Sequence, residues 1–149
     1  MFDLPKQVQF FAIKPTNDLS NNFEFTMKNK HCSHITMIFK PKGENKDRFM
    51  NIVGKEFTVK SKYLLQKKGV VSVLVLDSIN EYCGDSEPHI TIETDGQAPS
   101  VSNDIIKQWN EGSEDIVCTP MSLEFSGILC GAVYGKNGLT YVSNRDWLN

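Results

Sequence analysis

The stretch "SHITMIF" at residues 33–39 places a histidine and a threonine two positions apart within a run that is otherwise mostly apolar. A second copy occurs in "SEPHITIET" at residues 86–94, where His89 and Thr91 have the same spacing. In a β-strand, side chains two residues apart share a face and lie roughly 6.6 Å apart along it. Each run is therefore predicted to be a strand that presents an imidazole and a hydroxyl on one face and apolar anchors on the other.

The repetition is more informative than either copy alone. Only 8 of the 149 residues are threonine and 3 are histidine, so two His-x-Thr pairs rarely arise by chance. If the strand with His34 and Thr36 lies beside the strand with His89 and Thr91, two imidazoles and two hydroxyls converge on one spot.

This combination of groups suits a phosphodiester. The hydroxyls can donate to the non-bridging oxygens, while a neutral histidine takes a proton from the attacking hydroxyl and a protonated one gives a proton to the leaving oxygen. An imidazole pKa of about 6.5 lets both forms coexist near neutral pH. Either histidine can take either role, and the scheme needs no metal ion or other cofactor.

The rest of the chain predicts an α+β protein made mainly of antiparallel or mixed strands. Further strands are predicted at 8–14 and 22–28, in a hairpin of 56–66 with 69–77, and near the C-terminus around "GKNG" (135–138). The run at 69–77 is nearly all apolar, so it should be covered on both faces. A helix is predicted at 102–110, capped by Ser102 or Asn103, and 46–54 is either a short helix or a covering loop.

The overall composition fits a single domain spanning residues 1–149. The net charge of −2 gives no positive field for long nucleic acid. No apolar run approaches about 18 residues and no secretory signal pattern is present, so we expect a cytoplasmic protein without a membrane segment. The four cysteines are scattered without a Cys-x-x-Cys pair, which favours reduced thiols over a zinc site.

The two motifs "HITM" and "HITI" resemble the paired His-x-Thr signatures of the 2H phosphoesterase superfamily. That superfamily includes LigT-like RNA cyclic phosphodiesterases, 2′,5′-oligoadenylate phosphodiesterases and phage anti-CBASS nucleases. The segment "HITIETDGQAPSVSNDII" (89–106) is similar to the His-x-Thr, glycine, proline, Ser-Asn segment of tRNA-ligase-type phosphodiesterases and the phage nucleases. The resemblance covers roughly residues 8–134, and the short chain favours the phage type.

The resemblance implies a bilobal fold, in which two antiparallel sheets form a concave cleft with helices outside. It also implies that His34, Thr36, His89 and Thr91 are the catalytic set. The sequence departs from the pattern after the second motif, where Glu93 and Asp95 replace residues that are often small.

The expected activity is metal-independent cleavage of 3′–5′ bonds in cyclic di- or trinucleotide messengers, which would block CBASS defence in the host cytoplasm if a phage encodes the protein. The alternatives are an RNA 2′,3′-cyclic phosphodiesterase or a 2′,5′-oligoadenylate phosphodiesterase, and, in another class, a protein that only sequesters nucleotides. The expected partner is a small cyclic or short linear oligonucleotide, bound by a monomer.

Several residues outside the motifs are candidates for substrate binding. A nucleotide favours aromatic faces for its bases and cations for its phosphates. His31, three positions before His34, is predicted to be a surface residue on the opposite face. The candidate contacts are Tyr82, Trp147 and Phe11 for bases, with Trp147 as a lid or a surface dock, and Lys40, with Lys14 and Lys42, for phosphates.

Overall fold

A computed structural model describes residues 5–149, which form nine β-strands and two α-helices. The strands are β1 Phe10–Pro15, β2 Asn29–Lys30, β3 Ile35–Phe39, β4 Glu56–Lys67, β5 Val71–Leu76, β6 His89–Thr94, β7 Val117–Pro120, β8 Glu124–Gly135 and β9 Gly138–Val142. The helices are α1 Gly43–Ile52 and α2 Val101–Asn110, and short 3₁₀ turns cover Ser20–Asn22 and Arg145–Trp147. No helix in this part of the chain is long and apolar enough to cross a membrane.

The strands pair antiparallel along the path β2-β6-β5-β4-β8-β1-β3, with β7 also beside β4 and β9 also beside β8. The predicted α+β class is therefore confirmed at the level of an antiparallel sheet with two helices. The path places β3 and β6, which carry the two motifs, near its opposite ends.

Strand β4 joins the two halves of this sheet. Residues 56–60 pair with β8, and residues 61–67 pair with β5. At the junction, the buried hydroxyl of Ser61 donates to the Met121 carbonyl at 2.6 Å and accepts from the Leu123 amide at 2.7 Å. This side chain satisfies backbone groups where the strand pairing is interrupted, so β4 can pass from one half to the other without leaving buried polar groups unpaired.

Strand β5 is buried along its whole length, as its apolar sequence predicts. Val71, Val73 and Val75 pack with Ile105 and Ile106 of α2. The alternate residues, Leu74 and Leu76, belong to the main core, which also contains the stacked rings of Phe11 and Phe49 at 5.4 Å. Alternate side chains of β5 therefore pack into two different hydrophobic clusters. One of these clusters holds α2 against the outer face of the sheet.

Most predicted elements are present with shifted ends. The hairpin of 56–66 with 69–77 is β4 and β5, and the strands predicted at 8–14, 33–39 and 86–94 are the shorter β1, β3 and β6. Most of the segment 46–54 is helical, because α1 extends from Gly43 to Ile52. The strands around "GKNG" are β8 and β9, and the helix predicted at 102–110 is α2.

The strand predicted at 22–28 is wrong, because residues 23–28 form a loop. The backbone amides of Thr26 and Met27 donate to the carboxylate of Glu93 at 2.9 and 2.8 Å, and the amide of Lys28 donates to Asp95 at 3.2 Å. Side chains from distant β6 and its following turn thus replace the strand partners that these amides would otherwise need.

Glu93 should therefore be a main anchor of this loop. Its buried carboxylate also accepts from the Ser72 hydroxyl at 3.0 Å. Glu93→Ala removes the acceptor of the Thr26 and Met27 amides and of the buried Ser72 hydroxyl, and should lower the free energy of unfolding by roughly 2–4 kcal/mol in urea denaturation. Glu93→Gln keeps an acceptor oxygen and should cost clearly less. Equal losses in the two variants would show that the hydrogen bonds to the loop contribute little.

Candidate functional site

One cleft of about 1060 Å³ contains both His-x-Thr pairs. Its lining includes His34 and Thr36 from the first motif and His89 and Thr91 from the second. The structure therefore brings the four residues together from segments that are more than fifty positions apart in the sequence. Both imidazoles therefore line one common hollow.

The segment before β3 explains how the two motifs meet. The amides of His31 and Cys32 donate to the carbonyls of Ile92 and Thr91 at 2.9 and 2.8 Å, which extends the pairing of β2 with β6. Cys32 then adopts a left-handed conformation with φ of 59°, and the chain leaves β6 to enter β3. The chain therefore pairs with β6, the strand of the second motif, as far as Cys32, and His34 follows at the start of the other half of the sheet.

The ring of His34 is held by two hydroxyl groups. Its Nδ1 lies 2.9 Å from the Ser33 hydroxyl and 3.0 Å from the Tyr141 hydroxyl. Either hydroxyl can accept a proton from Nδ1 or donate one to it, so both imidazole tautomers fit. Burial, helped by the positive charges of Lys14 and the other two histidines, lowers the pKa of His34 to about 4.

The ring of His89 is held by a backbone carbonyl. Its Nδ1 lies 2.8 Å from the oxygen of Glu87, an atom that can only accept, so Nδ1 carries a proton. Nε2 is then left for a ligand. Burial lowers the pKa of His89, and the Glu87 carbonyl opposes this shift by stabilising the protonated ring. The Glu87 side chain is fixed in turn by Lys62 at 2.6 Å.

The hydroxyl of Thr91 is positioned by α2. It lies 2.7 Å from the buried hydroxyl of Ser102 and donates to the Pro99 carbonyl at 3.3 Å. Either hydroxyl can be the donor in the shorter of these two bonds, and when Ser102 donates, the Thr91 proton is left for the Pro99 carbonyl or a ligand. The predicted capping role of Ser102 or Asn103 is wrong, since α2 begins at Val101 and Ser102 lies inside it. Asn103 instead accepts from the Ser86 hydroxyl at 2.8 Å.

His31 is not a simple surface residue, contrary to the prediction. It is half-buried, lines the cleft, and its Nε2 lies 3.0 Å from the Thr94 hydroxyl. The prediction assumed an unbroken strand from His31 to His34. The turn at Cys32 breaks that strand and allows both rings to reach the cleft.

None of the four predicted binding residues outside the motifs lines the cleft. Phe11 is fully buried against Phe49, so the prediction that it stacks on a base is wrong. Tyr82 packs on the main core, and Trp147 is 63% exposed; neither lines the cleft, and Lys40 does not line it either. Lys40 nevertheless lies close to a lining residue, because its Nζ is 5.6 Å from the ring centroid of Phe39.

Sequence reasoning missed four residues that shape this site. Ser33, Tyr141 and Ser102 contact the motif side chains, and Phe39 lines the cleft from the end of β3. Ser33 adjoins His34 and could have been noticed. Tyr141 lies 107 positions from His34, and nothing local marks it.

The charges around the cleft are mixed. The charged lining residues are Asp85, Asp104, Lys107 and Glu111. Among residues 5–149 no cluster of three or more His, Cys, Asp or Glu side chains has the arrangement of a metal site. The motifs therefore offer a ligand imidazoles and hydroxyls, and Lys107 is the lysine that lines the cleft with them.

Comparison of the chain with models of known protein families and with curated proteins found no match. What the fold and site define is an α+β protein with an antiparallel sheet and a cleft that holds two His-x-Thr pairs. The resemblance to 2H phosphoesterases remains a prediction from the sequence motifs.

The lowered pKa of His34 makes stability depend on pH. Between about pH 6.5 and pH 4 the unfolded chain binds more protons at this residue than the folded protein, so the free energy of unfolding falls as pH decreases. The expected loss is about 2 kcal/mol by pH 5, measured by urea denaturation. His34→Asn should flatten this dependence, whereas His31→Asn should change it less. An unchanged pH dependence in His34→Asn would contradict the assigned pKa.

Proposed function

We propose that this protein is a metal-independent phosphodiesterase of the 2H type that acts on small RNA-like nucleotides. The observation that carries the proposal is the shared cleft, in which two imidazoles and two threonine hydroxyls meet. The passage of β4 between two halves of the sheet also fits the bilobal architecture that the sequence resemblance implies. Cyclic di- or trinucleotide messengers are the proposed substrates, and hydrolysis would silence a CBASS-type defence.

The surroundings of the two histidines favour one division of roles. Burial, and then the charges of Lys14 and of the other two histidines when protonated, oppose a proton on His34, whereas the Glu87 carbonyl stabilises a proton on His89. When the pair holds one proton, that proton therefore favours His89. We assign His34 as the general base and His89 as the general acid.

In the proposed reaction, Nε2 of His34 takes the proton from a ribose 2′-hydroxyl, whose oxygen forms a bond to phosphorus. The bond from phosphorus to the 5′-oxygen breaks, and Nε2 of His89 gives its proton to that oxygen. The Thr36 hydroxyl donates to one non-bridging oxygen, and the Thr91 hydroxyl donates to the other when its proton turns from the Pro99 carbonyl to the phosphate. The resulting 2′,3′-cyclic phosphate is opened by water, with the roles of the histidines reversed, to leave a terminal phosphate.

The mixed charge of the cleft supports a small substrate. A long nucleic acid is bound largely through lysines and arginines that neutralise several phosphates. Here the lining contains Lys107 beside Asp85, Asp104 and Glu111. A compact ligand held by hydroxyls and imidazoles at one phosphate fits this surface better.

Cleavage is tested by incubating the purified protein, with EDTA present, with cyclic dinucleotides, cyclic trinucleotides, RNA ends bearing 2′,3′-cyclic phosphate, and 2′,5′-oligoadenylates, and by mass spectrometry of the products. We expect cyclic messengers to be opened and their 2′-deoxy analogues to resist. His34→Ala and His89→Ala should each lower the rate by roughly 10²–10⁴-fold.

Different outcomes separate the alternatives. Preference for RNA ends or 2′,5′-oligomers would keep the enzyme class and change the substrate. Recovery of every ligand intact from a protein that binds it would support a sequestering role and contradict catalysis. Tyr134→Ala, at an exposed position outside the cleft, is the matched control and should retain the wild-type rate.

The acid and base roles are separated by the leaving group. A uridine 3′-phosphodiester with a p-nitrophenyl leaving group needs no proton at the departing oxygen. His89→Ala should therefore retain most of its activity on this compound, while His34→Ala should remain impaired because the 2′-hydroxyl still needs a base. The reverse pattern, measured by release of nitrophenolate, would exchange the two roles.

A further inference from the structure

A β-bulge in β3 changes which side chains face the cleft. Phe10 is opposite Phe39 and Phe11 is opposite Ile38, but Ala12 is opposite Thr36, which leaves Met37 as the extra residue. In a regular strand Thr36 and Phe39 would point to opposite faces. The inserted residue reverses the alternation, so that Thr36 and Phe39 lie on the same face as their partners Ala12 and Phe10, while Met37 and Ile38 are buried.

Phe39 is exposed although the core adjoins it. Its side chain is 63% exposed, one of the highest values among the large apolar residues, and it lines the cleft together with Leu139. Its ring lies 6.1 Å from the ring of Phe10, which lies 5.6 Å from the ring of His34. The rings of Phe10 and Phe39 thus form a row from the imidazole of His34 to the rim of the cleft.

The position of Phe39 matches the dimensions of a nucleotide. Thr36 and Phe39 are opposite Ala12 and Phe10, which are two positions apart, so they are separated by roughly 7 Å along the sheet, a distance comparable with that from a phosphate to a neighbouring base. Lys40 places its ammonium group 5.6 Å from the Phe39 ring centroid and so adds a positive charge at the same rim. Aromatic faces beside cations are the usual means by which proteins hold single-stranded nucleotides.

We propose that Phe39 is the stacking platform for a nucleobase adjacent to the scissile phosphate. This proposal rests on the proposed phosphodiesterase function and names the residue that makes the cleft prefer nucleotides over base-free phosphodiesters. The β-bulge is the structural device that turns the ring toward the substrate. Phe39 thereby takes the role that the sequence suggested for Phe11, its near neighbour across β1 and β3.

The test compares two substrates that differ only in the base, adenosine 2′,3′-cyclic phosphate and ribose 2′,3′-cyclic phosphate. For Phe39→Ala, kcat/KM on the adenosine compound should fall roughly 5- to 150-fold, and kcat/KM on the base-free compound should stay within about 2-fold of wild type. Phe39→Trp should keep the preference for the base. Equal losses on both substrates, or no loss on either, would overturn the proposal.

A binding measurement separates this proposal from the proposed activity. Ethenoadenosine monophosphate is titrated against wild type and Phe39→Ala, and quenching of its fluorescence reports stacking. If wild type binds without cleaving any substrate, the phosphodiesterase function fails, but a roughly 5- to 150-fold weaker affinity in Phe39→Ala still supports the platform. Equal affinities, or no binding to wild type, would overturn it.

Tyr134→Ala is the matched control, since it removes another exposed aromatic ring that lies outside the cleft. It should leave both kcat/KM and the binding of ethenoadenosine monophosphate unchanged. Because Phe39 is largely exposed, its replacement should also leave the folded state intact, which thermal unfolding monitors.

Discussion

The pairing of His31 and Cys32 with β6 is the constraint on which the site depends. The two backbone hydrogen bonds, at 2.9 and 2.8 Å, hold the segment before the first motif against the strand that carries the second. The left-handed turn at Cys32 then directs the chain to the far end of the sheet path. A non-glycine residue in this conformation costs on the order of 1 kcal/mol, which the surrounding hydrogen bonds must offset.

The strands were predictable where the signal is local. Alternating burial along β4, and continuous burial of β5 between two clusters, follow directly from the order of apolar residues. The loop at 23–28 has the same alternating pattern, yet Glu93 and Asp95 bind its amides. Glu93 and Asp95 are also the positions at which the sequence departs from the pattern of the 2H phosphoesterases. Their positions in the sequence did not indicate that they bind the amides of the loop.

The site was predictable only in its motif residues. His34, Thr36, His89 and Thr91 reach one cleft, as the repeated spacing suggested. Apart from Ser33, which adjoins His34, their supporting groups come from distant positions or from irregular backbone, which no pattern in the sequence marks. A single inserted residue in β3 changes the face on which the following side chains lie, and this explains why Phe39 is on the same face as Thr36 and exposed in the cleft.

The two motifs share the same letters but have different chemical surroundings. A carbonyl fixes the proton on Nδ1 of His89, whereas the hydroxyls of Ser33 and Tyr141 leave His34 free to change tautomer. Burial lowers both pKa values, and the cationic neighbours of His34 add to its shift. Because unequal environments place the shared proton preferentially on one ring, a symmetric motif pair can carry out an asymmetric proton transfer.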